Sequence, residues 1–295
     1  MTAERIDGRL RAKELDSRVT EGVSAFSGKV GRVPGLAAVL VGTDAASQIY
    51  VRNKVKRTKS VGMLSFEHVL PETTTESDLL SLVDDLNADP RVDGILVQLP
   101  LPGQIRAERV TSAVSPEKDV DGFHIVNVGA VASGVGGLVP CTPLGCLILA
   151  APFFGGDFAG VESVVVGRSN IVGRPMANLL LARRATVTVV HSATRDVASH
   201  VRGADLVVVA AGSAGLVRGD WVGEGAVVID VGINRLADGK VVGDVNFEEV
   251  SGVARALTPV PGGVGPMTIG CLLLNTLTAA LRREGLGDPD IGLGI

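Results

Sequence analysis

The chain reads as an α/β protein made of two doubly wound units. Two patterns predict this: short apolar runs alternate with helical spans along most of the 295 residues, and the alternation restarts near Val161. Such runs are the signature of parallel strands covered on both faces. A third observation is compositional, since 46% hydrophobic residues, 20% charged residues and a mean hydropathy of +0.35 supply apolar material for more than one core.

In the first unit, Leu36 to Val41 is a continuous apolar strand, followed by a helix from Ala45 to Val61, a strand from Met63 to Leu70, a helix from Glu76 to Asn87 and a strand from Gly94 to Leu99. Pro140, Thr142, Pro143 and Gly145 open an apolar helix that carries the chain across. In the second unit Val164 to Val166 is a strand, Gly173 to Arg184 a helix, Thr186 to Val190 a strand and Arg195 to Arg202 a helix. Leu206 to Ala210 and Val227 to Val231 complete it as strands. A last helix, Met267 to Arg283, follows a glycine-rich loop and returns to the first unit. The expected domains are therefore 1–140 with 267–295, and 141–266, with no internal repeat.

A net charge of -4 and a pI near 5.6 argue against a general nucleic-acid binder. No run of about 18 apolar residues lacks charge or glycine, and Met1 to Arg11 has no apolar signal core, so a cytoplasmic protein without a membrane partner is expected. Cys141, Cys146 and Cys271 form no C-x-x-C pair and imply neither a metal site nor disulfides.

Tyr50, the only tyrosine, stands one helical turn before Lys54, so the phenol and the ammonium share a face. Arg52, Lys56, Arg57 and Lys59 lie on the same helix, and neighbouring cations favour a neutral, proton-carrying Lys54. The competing reading is a solvated basic face. In the second unit a strand runs into Gly167-Arg168-Ser169-Asn170-Ile171-Val172-Gly173-Arg174-Pro175, a glycine turn feeding a helix. Such a turn brings backbone N–H groups to a pyrophosphate. Ser169 and Val172 stand where the second and third glycines of G-x-G-x-x-G belong. The next strand ends His191-Ser192-Ala193-Thr194 rather than in the acid that grips a ribose 2'-hydroxyl. With no carboxylate to repel a 2'-phosphate, and with Arg168, Ser192 and Arg195 near, NADP is favoured over NAD. His191 reads as a polar cap or cofactor wall before an acid/base catalyst.

Gln98 ends its strand on the side where open α/β sheets bind ligands. Pro116 to His124 is a polar turn in which either Asp119 or Asp121 can face a ligand. Pro259 to Pro266, with three glycines, is neither helix nor strand and lets a flat ligand approach the backbone, while Pro266 suits a helix start.

Tyr50-Val51-Arg52-Asn53-Lys54, Asp93 to Pro102, Lys118-Asp119-Val120-Asp121-Gly122, Pro140-Cys141-Thr142-Pro143, Val166-Gly167-Arg168-Ser169 and Pro261 to Thr268 together resemble the bifunctional methylenetetrahydrofolate dehydrogenase/cyclohydrolase family. The resemblance covers nearly the whole chain. It implies two domains with a cleft between them, the C-terminal one a Rossmann-type NAD(P)-binding domain. The implied chemistry is NADP-linked oxidation of 5,10-methylenetetrahydrofolate to the methenyl cation, then hydrolysis to 10-formyltetrahydrofolate, a step that feeds purine biosynthesis. By position in the motifs, Lys54 is the proton carrier, Gln98 bonds its amine, Tyr50 supports the substrate and Asp121 binds the pterin edge. Ser47, Leu99, Pro261, Gly262 and Gly263 line the folate, while Thr142, Gly167, Arg168, Ser169, Val172, Gly173, His191, Ser192 and Ile233 contact the cofactor. A homodimer is implied as well. The alternatives are a monofunctional methylenetetrahydrofolate dehydrogenase, a dehydrogenase of the shikimate type, and a nucleotide-sensing Rossmann module without catalysis.

Overall fold

The structure is a computed structural model that describes residues 2–290 and 292. In chain order its elements are β1 (Glu4–Arg5), α1 (Gly8–Val30), β2 (Gly35–Val41), α2 (Ala45–Ser60), β3 (Leu64–Leu70), α3 (Glu76–Ala88), β4 (Gly94–Val97), α4 (Ala107–Ala113), α5 (Ile125–Ser133), α6 (Cys141–Ala150) and β5 (Glu162–Val166). They continue with α7 (Gly173–Ala182), β6 (Thr186–Val190), α8 (Val197–Arg202), β7 (Leu206–Val209), β8 (Val227–Asp230), β9 (Asn234–Arg235), β10 (Val241–Val242), α9 (Phe247–Ser251), β11 (Ala256–Leu257) and α10 (Val264–Arg283). The chain parts into two compact units, residues 14–139 with 272–290, and residues 2–13 with 140–271 and 292.

The first of these units carries a parallel sheet in the order β3-β2-β4. All seven residues of the central strand β2 are buried, as its unbroken apolar sequence requires. Ala37, Val39, Ile95 and Val97 from the sheet pack with Leu79, Val83 and Leu86 of α3 and with Val110 of α4. Each Val, Leu or Ile fully buried among them contributes on the order of 1.5–3 kcal/mol. α1 lies ahead of the first strand expected from sequence; its buried residues Ala12, Leu15, Val19, Val23 and Phe26 recur at helical spacing.

At the amino ends of β2 and β4 the buried Asp93 carboxylate holds the unit together. It accepts from both Arg32 nitrogens (2.8 and 2.9 Å), from the Gly35 N–H (2.9 Å) and from Arg283 (2.7 Å). Lys118 is buried too, and its ammonium caps α3 by donating to the carbonyls of Leu86, Asn87 and Asp89.

The second unit holds a six-stranded parallel sheet ordered β1-β11-β8-β7-β5-β6. From β5 the chain passes through α7 to β6 on one side, then crosses back to β7 on the other. The β5–β7 boundary is thus a topological switch point, and its crevice lies at the carboxyl ends of the strands. Val164, Val166, Val190, Val207, Val209 and Val228 form the core over which the loops are laid.

α10 begins at Val264, earlier than the Met267 expected from sequence, so Gly265 and Pro266 lie inside its first turn. The missing N–H of Pro266 costs nothing there, because first-turn amides have no intrahelical acceptor. The helix is long and apolar enough to cross a membrane by length and composition, yet 78% of its apolar window is buried inside the protein. Its apolarity is used by the core.

Candidate active site

α2 follows β2 and is started by Asp44, whose carboxylate accepts from the Ser47 N–H at 2.7 Å. Ser47, Val51, Lys54, Val55 and Thr58 form its buried face, and Tyr50, 39% exposed, stands at the edge of that face. Lys54 is 8% exposed, and its ammonium donates to Gln98 Oε1 at 2.9 Å. Gln98 sits just past the carboxyl end of β4, and its Nε2 donates to the Leu99 carbonyl at 2.7 Å. That second bond fixes which end of the amide meets the lysine: the carbonyl oxygen faces the ammonium. Leu99 therefore acts here through its backbone, and the Leu99–Pro100 peptide is cis.

The basic helix resolves differently from the sequence expectation. Arg57 is paired with Asp16 through two contacts, and Arg52, Lys56 and Lys59 project from the exposed face of α2, away from Lys54. The charged group on which the Lys54 ammonium acts is instead a carboxylate, that of Asp121.

Of the two acids in Lys118 to Gly122, Asp119 is occupied structurally. Its Oδ2 accepts from the His124 N–H (2.8 Å) and from Asn127 (2.9 Å), and its backbone bridges to Ile95 at the edge of β4. Asp121 is the acid left for a ligand. It keeps a partly exposed surface, and the protein crowding its carboxyl pushes it up to about 6. The Lys54 ammonium opposes that push and Asp119 adds to it. Gly94 makes this arrangement possible, because a Cβ there would stand 2.6 Å from Val120. Ser47, Tyr50, Lys54, Gln98, Leu99 and Asp121 thus belong to one unit, in which Lys54 is hydrogen-bonded to Gln98 and its charge acts on Asp121.

Pro261, Gly262 and Gly263 belong to the other unit. Gly262 has φ 109°, and a Cβ on Gly263 would stand 2.7 Å from the Pro259 carbonyl. A Cβ on Gly8 would run into the Gly263 carbonyl, so the start of α1 packs directly on this loop. Thr142 of α6 shares a 3.1 Å hydrogen bond with Thr268 of α10.

At the switch point Gly167 follows β5 with φ 121°, and the place of its missing Cβ is filled by the Ala210 carbonyl that follows β7. A Cβ on Gly173 would meet the Gly167 carbonyl. Gly173 therefore does the close-packing work of the third glycine of a dinucleotide fingerprint, one place later than Val172. The helix end is not open in the way the sequence implies. Ser169 Oγ accepts from the N–H groups of Val172 (3.2 Å) and Gly173 (3.3 Å), so the groups presented at this turn are the Ser169 hydroxyl and the exposed Arg168 side chain. After β6, His191 builds a tight turn: its N–H donates to Thr194 Oγ1 at 3.0 Å and its Nδ1 accepts from the Ala193 N–H at 3.2 Å. That is a capping role, and it leaves Ser192 exposed with no carboxylate at the strand end. Ile233 is 58% exposed in the loop after β8.

Two residues of this unit escape the sequence motifs. Asp230, the last residue of β8, and Asp244 are 4% and 0% exposed. An aspartate closing an otherwise apolar strand was the available signal, since a buried carboxylate must be fully hydrogen-bonded. Among the described residues no group of three or more His, Cys, Asp or Glu could hold a metal ion.

A family profile described as the tetrahydrofolate dehydrogenase/cyclohydrolase catalytic domain matches residues 6–121, and one described as the NAD(P)-binding domain of the same family matches residues 140–284. The chain is 59% identical to bifunctional protein FolD 3 of Rhizorhabdus wittichii over 99% of its own length and 97% of that protein's. It is 56% identical to bifunctional protein FolD 2 of Paracoccus denitrificans, over 97% of this chain and 95% of that one. Among solved structures, the FolD methylenetetrahydrofolate dehydrogenase/cyclohydrolase of Campylobacter jejuni superposes with a TM-score of 0.92 at 46% identity, covering 95% of this chain and 99% of that one. The Trypanosoma brucei enzyme complexed with NADP and an inhibitor superposes with a TM-score of 0.91 at 42% identity, covering 96% and 99%.

Proposed function

Since the chain belongs to the tetrahydrofolate dehydrogenase/cyclohydrolase family, we propose that it oxidises 5,10-methylenetetrahydrofolate to 5,10-methenyltetrahydrofolate with NADP and then hydrolyses that cation to 10-formyltetrahydrofolate. The observation that favours the two-activity reading over a dehydrogenase alone is the Lys54–Gln98 hydrogen bond, with the amide oriented by the Leu99 carbonyl. Hydride transfer needs positioning and no base, so a dehydrogenase alone has no use for an aimed amine. Hydrolysis does have one. Water must lose a proton as it attacks the bridging carbon, and a ring nitrogen must gain one as the bridge opens.

Lys54 accepts the proton from water and returns it to the departing nitrogen. Gln98 accepts from one Lys54 N–H and thereby aims the lysine side chain. The Asp121 carboxylate takes two hydrogen bonds from the amino-pyrimidinone edge of the pterin. Tyr50, Ser47 and Leu99 shape the same site, and Pro261, Gly262 and Gly263 offer a flat backbone surface to the substrate.

NADP fits the other unit. The Gly167–Gly173 cradle has no room for a Cβ at either glycine, Arg168 and Ser169 stand at its rim, and the β6 end carries Ser192 where an NAD site carries an acid. Arg168 and Ser192 would hold the 2'-phosphate, with Val172, His191, Thr142 and Ile233 as further contacts. When bound, NADP accepts the hydride from the bridging carbon. Net charge and family together support a cytoplasmic homodimer that has neither nucleic acid nor membrane as partner and supplies formyl groups to purine biosynthesis.

Following NADPH formation and methenyl decay in one sample tests both activities. Lys54→Ala should remove hydrolysis and keep most of the hydride transfer; equal, slight losses of the two would sink the role given to Lys54.

A further inference from the structure

The two loops that leave β7 and β8 at the carboxyl edge of the sheet are tied to one buried side chain. Asp244 Oδ2 accepts from the N–H groups of Ala211 (2.7 Å) and Gly212 (2.8 Å), and its Oδ1 accepts from the Ser213 N–H (2.9 Å) and from Asn234 Nδ2 (2.8 Å). Three successive amides converging on one point, with Gly212 at φ 68°, form a nest of the kind that elsewhere takes an anion from solution. Here an internal carboxylate fills it. Asp244 is itself held from β8: Asp230 Oδ1 accepts from the Asp244 N–H and the Gly232 N–H, both at 2.9 Å, and Oδ2 accepts from the Val245 N–H at 3.0 Å. Gly232 and Gly243 leave no alternative packing, since a Cβ on the first would collide with Asp244 and on the second with Asp230.

The placement of this relay gives it a function. Ala210, the residue before the nest, touches Gly167 across the switch point, and Ala211, Gly212 and Ser213 are exposed at that crevice. Ile233 lies between Gly232 and Asn234, which the same two carboxylates anchor. We propose that Asp244 is a positioning residue for the dinucleotide: by filling the 211–213 nest and gripping Asn234 it sets the far wall of the cofactor crevice, and so governs NADP affinity without touching NADP. This rests on the cofactor role given above to the Gly167–Gly173 turn. Burial pushes Asp230 up to about 6 against the pull of its three backbone donors, with the Asp244 charge adding to the push, as two carboxylates sharing one buried network require.

The test is NADP titration by calorimetry on full-length wild type, Asp244→Asn and Asn234→Ala, together with cyclohydrolase turnover of 5,10-methenyltetrahydrofolate in the absence of NADP. Asparagine turns an NH2 toward donors on one side, so Asp244→Asn should weaken NADP at least about tenfold and Asn234→Ala by about three- to tenfold. Hydrolysis should stay within about twofold in both, a split that a general loss of structure would not produce. An Asp244→Asn protein that hydrolyses normally and binds NADP as wild type does would overturn the proposal. If that variant does not fold, Asn234→Ala decides, and unchanged NADP affinity in it overturns the proposal equally. A wild type that fails to bind NADP overturns the cofactor assignment itself, which separates the two failures.

Discussion

The pterin-binding role proposed for Asp121 predicts a pH dependence of folate affinity that follows from its surroundings. Its carboxyl is pushed up to about 6 from an ordinary 3.8, first by burial, with Asp119 adding and the Lys54 ammonium opposing. Only the carboxylate accepts both hydrogen bonds from a pterin edge, so the competent fraction falls about tenfold for each pH unit below about 6. The dissociation constant for tetrahydrofolate should thus be flat above about pH 7 and roughly tenfold weaker at pH 5. Stability should move the opposite way. A carboxyl whose folded pKa exceeds its unfolded value binds protons preferentially in the folded state, so its contribution is present below about pH 4 and is lost as pH rises through about 6. The shift of about two units corresponds to at most about 3 kcal/mol, less for the solvent that still reaches the group. Asp121→Asn should accordingly abolish the pH dependence of binding, weaken folate at pH 7.5 and raise stability there by on the order of 1–2 kcal/mol. Fluorescence titration of folate from pH 5 to 8, with urea unfolding at the same values, measures all three. Wild-type affinity that is constant across the range, or a slope that survives in Asp121→Asn, would refute the reasoning.

Gln98→Ala removes the acceptor that aims Lys54 and should lower hydrolysis by about 10- to 100-fold, the value of a hydrogen bond to a charged group, with hydride transfer within about threefold; parallel loss of both rates would contradict it. Arg168→Ala should cut the NADP-to-NAD ratio of kcat/KM by about tenfold or more, and an unchanged ratio excludes Arg168 from 2'-phosphate recognition. Asp93→Ala takes the shared carboxylate from Arg32 and Arg283, leaves them only Glu284 and the Val92 carbonyl respectively, and strips the Gly35 N–H of its acceptor. It should cost about 3–5 kcal/mol in urea unfolding, and a loss under about 1 kcal/mol would show that those remaining partners suffice.

Much of the fold was legible because buried parallel strands must be apolar throughout: Leu36 to Val41 and Val164 to Val166 announced themselves. Elements with short or partner-dependent signals did not. β1 is two exposed residues, Glu4 and Arg5, whose strand character exists only in pairing with Ala256 and Leu257. The helical repeat of Ala12, Leu15, Val19, Val23 and Phe26 was present in α1 and readable. At the site, spacing along α2 showed that Tyr50 and Lys54 share a face, but it also suggested crowding by cations, which the helix turns outward or, at Arg57, pairs with Asp16.

By itself the sequence determined the two α/β units, the Lys54 and Gln98 motifs and the glycine turn after β5, because each depends on local period or on residue types at fixed spacing. Only the tertiary structure decided which acid of Lys118 to Gly122 is free, which end of Gln98 meets Lys54, that Gly173 does the third glycine's packing, and that Asp230 and Asp244 brace the crevice loops. The physical reason is common to all four. Each is a question of which donor meets which acceptor, or which Cβ has room, once the chain has folded back on itself, and no periodicity of residue types encodes that.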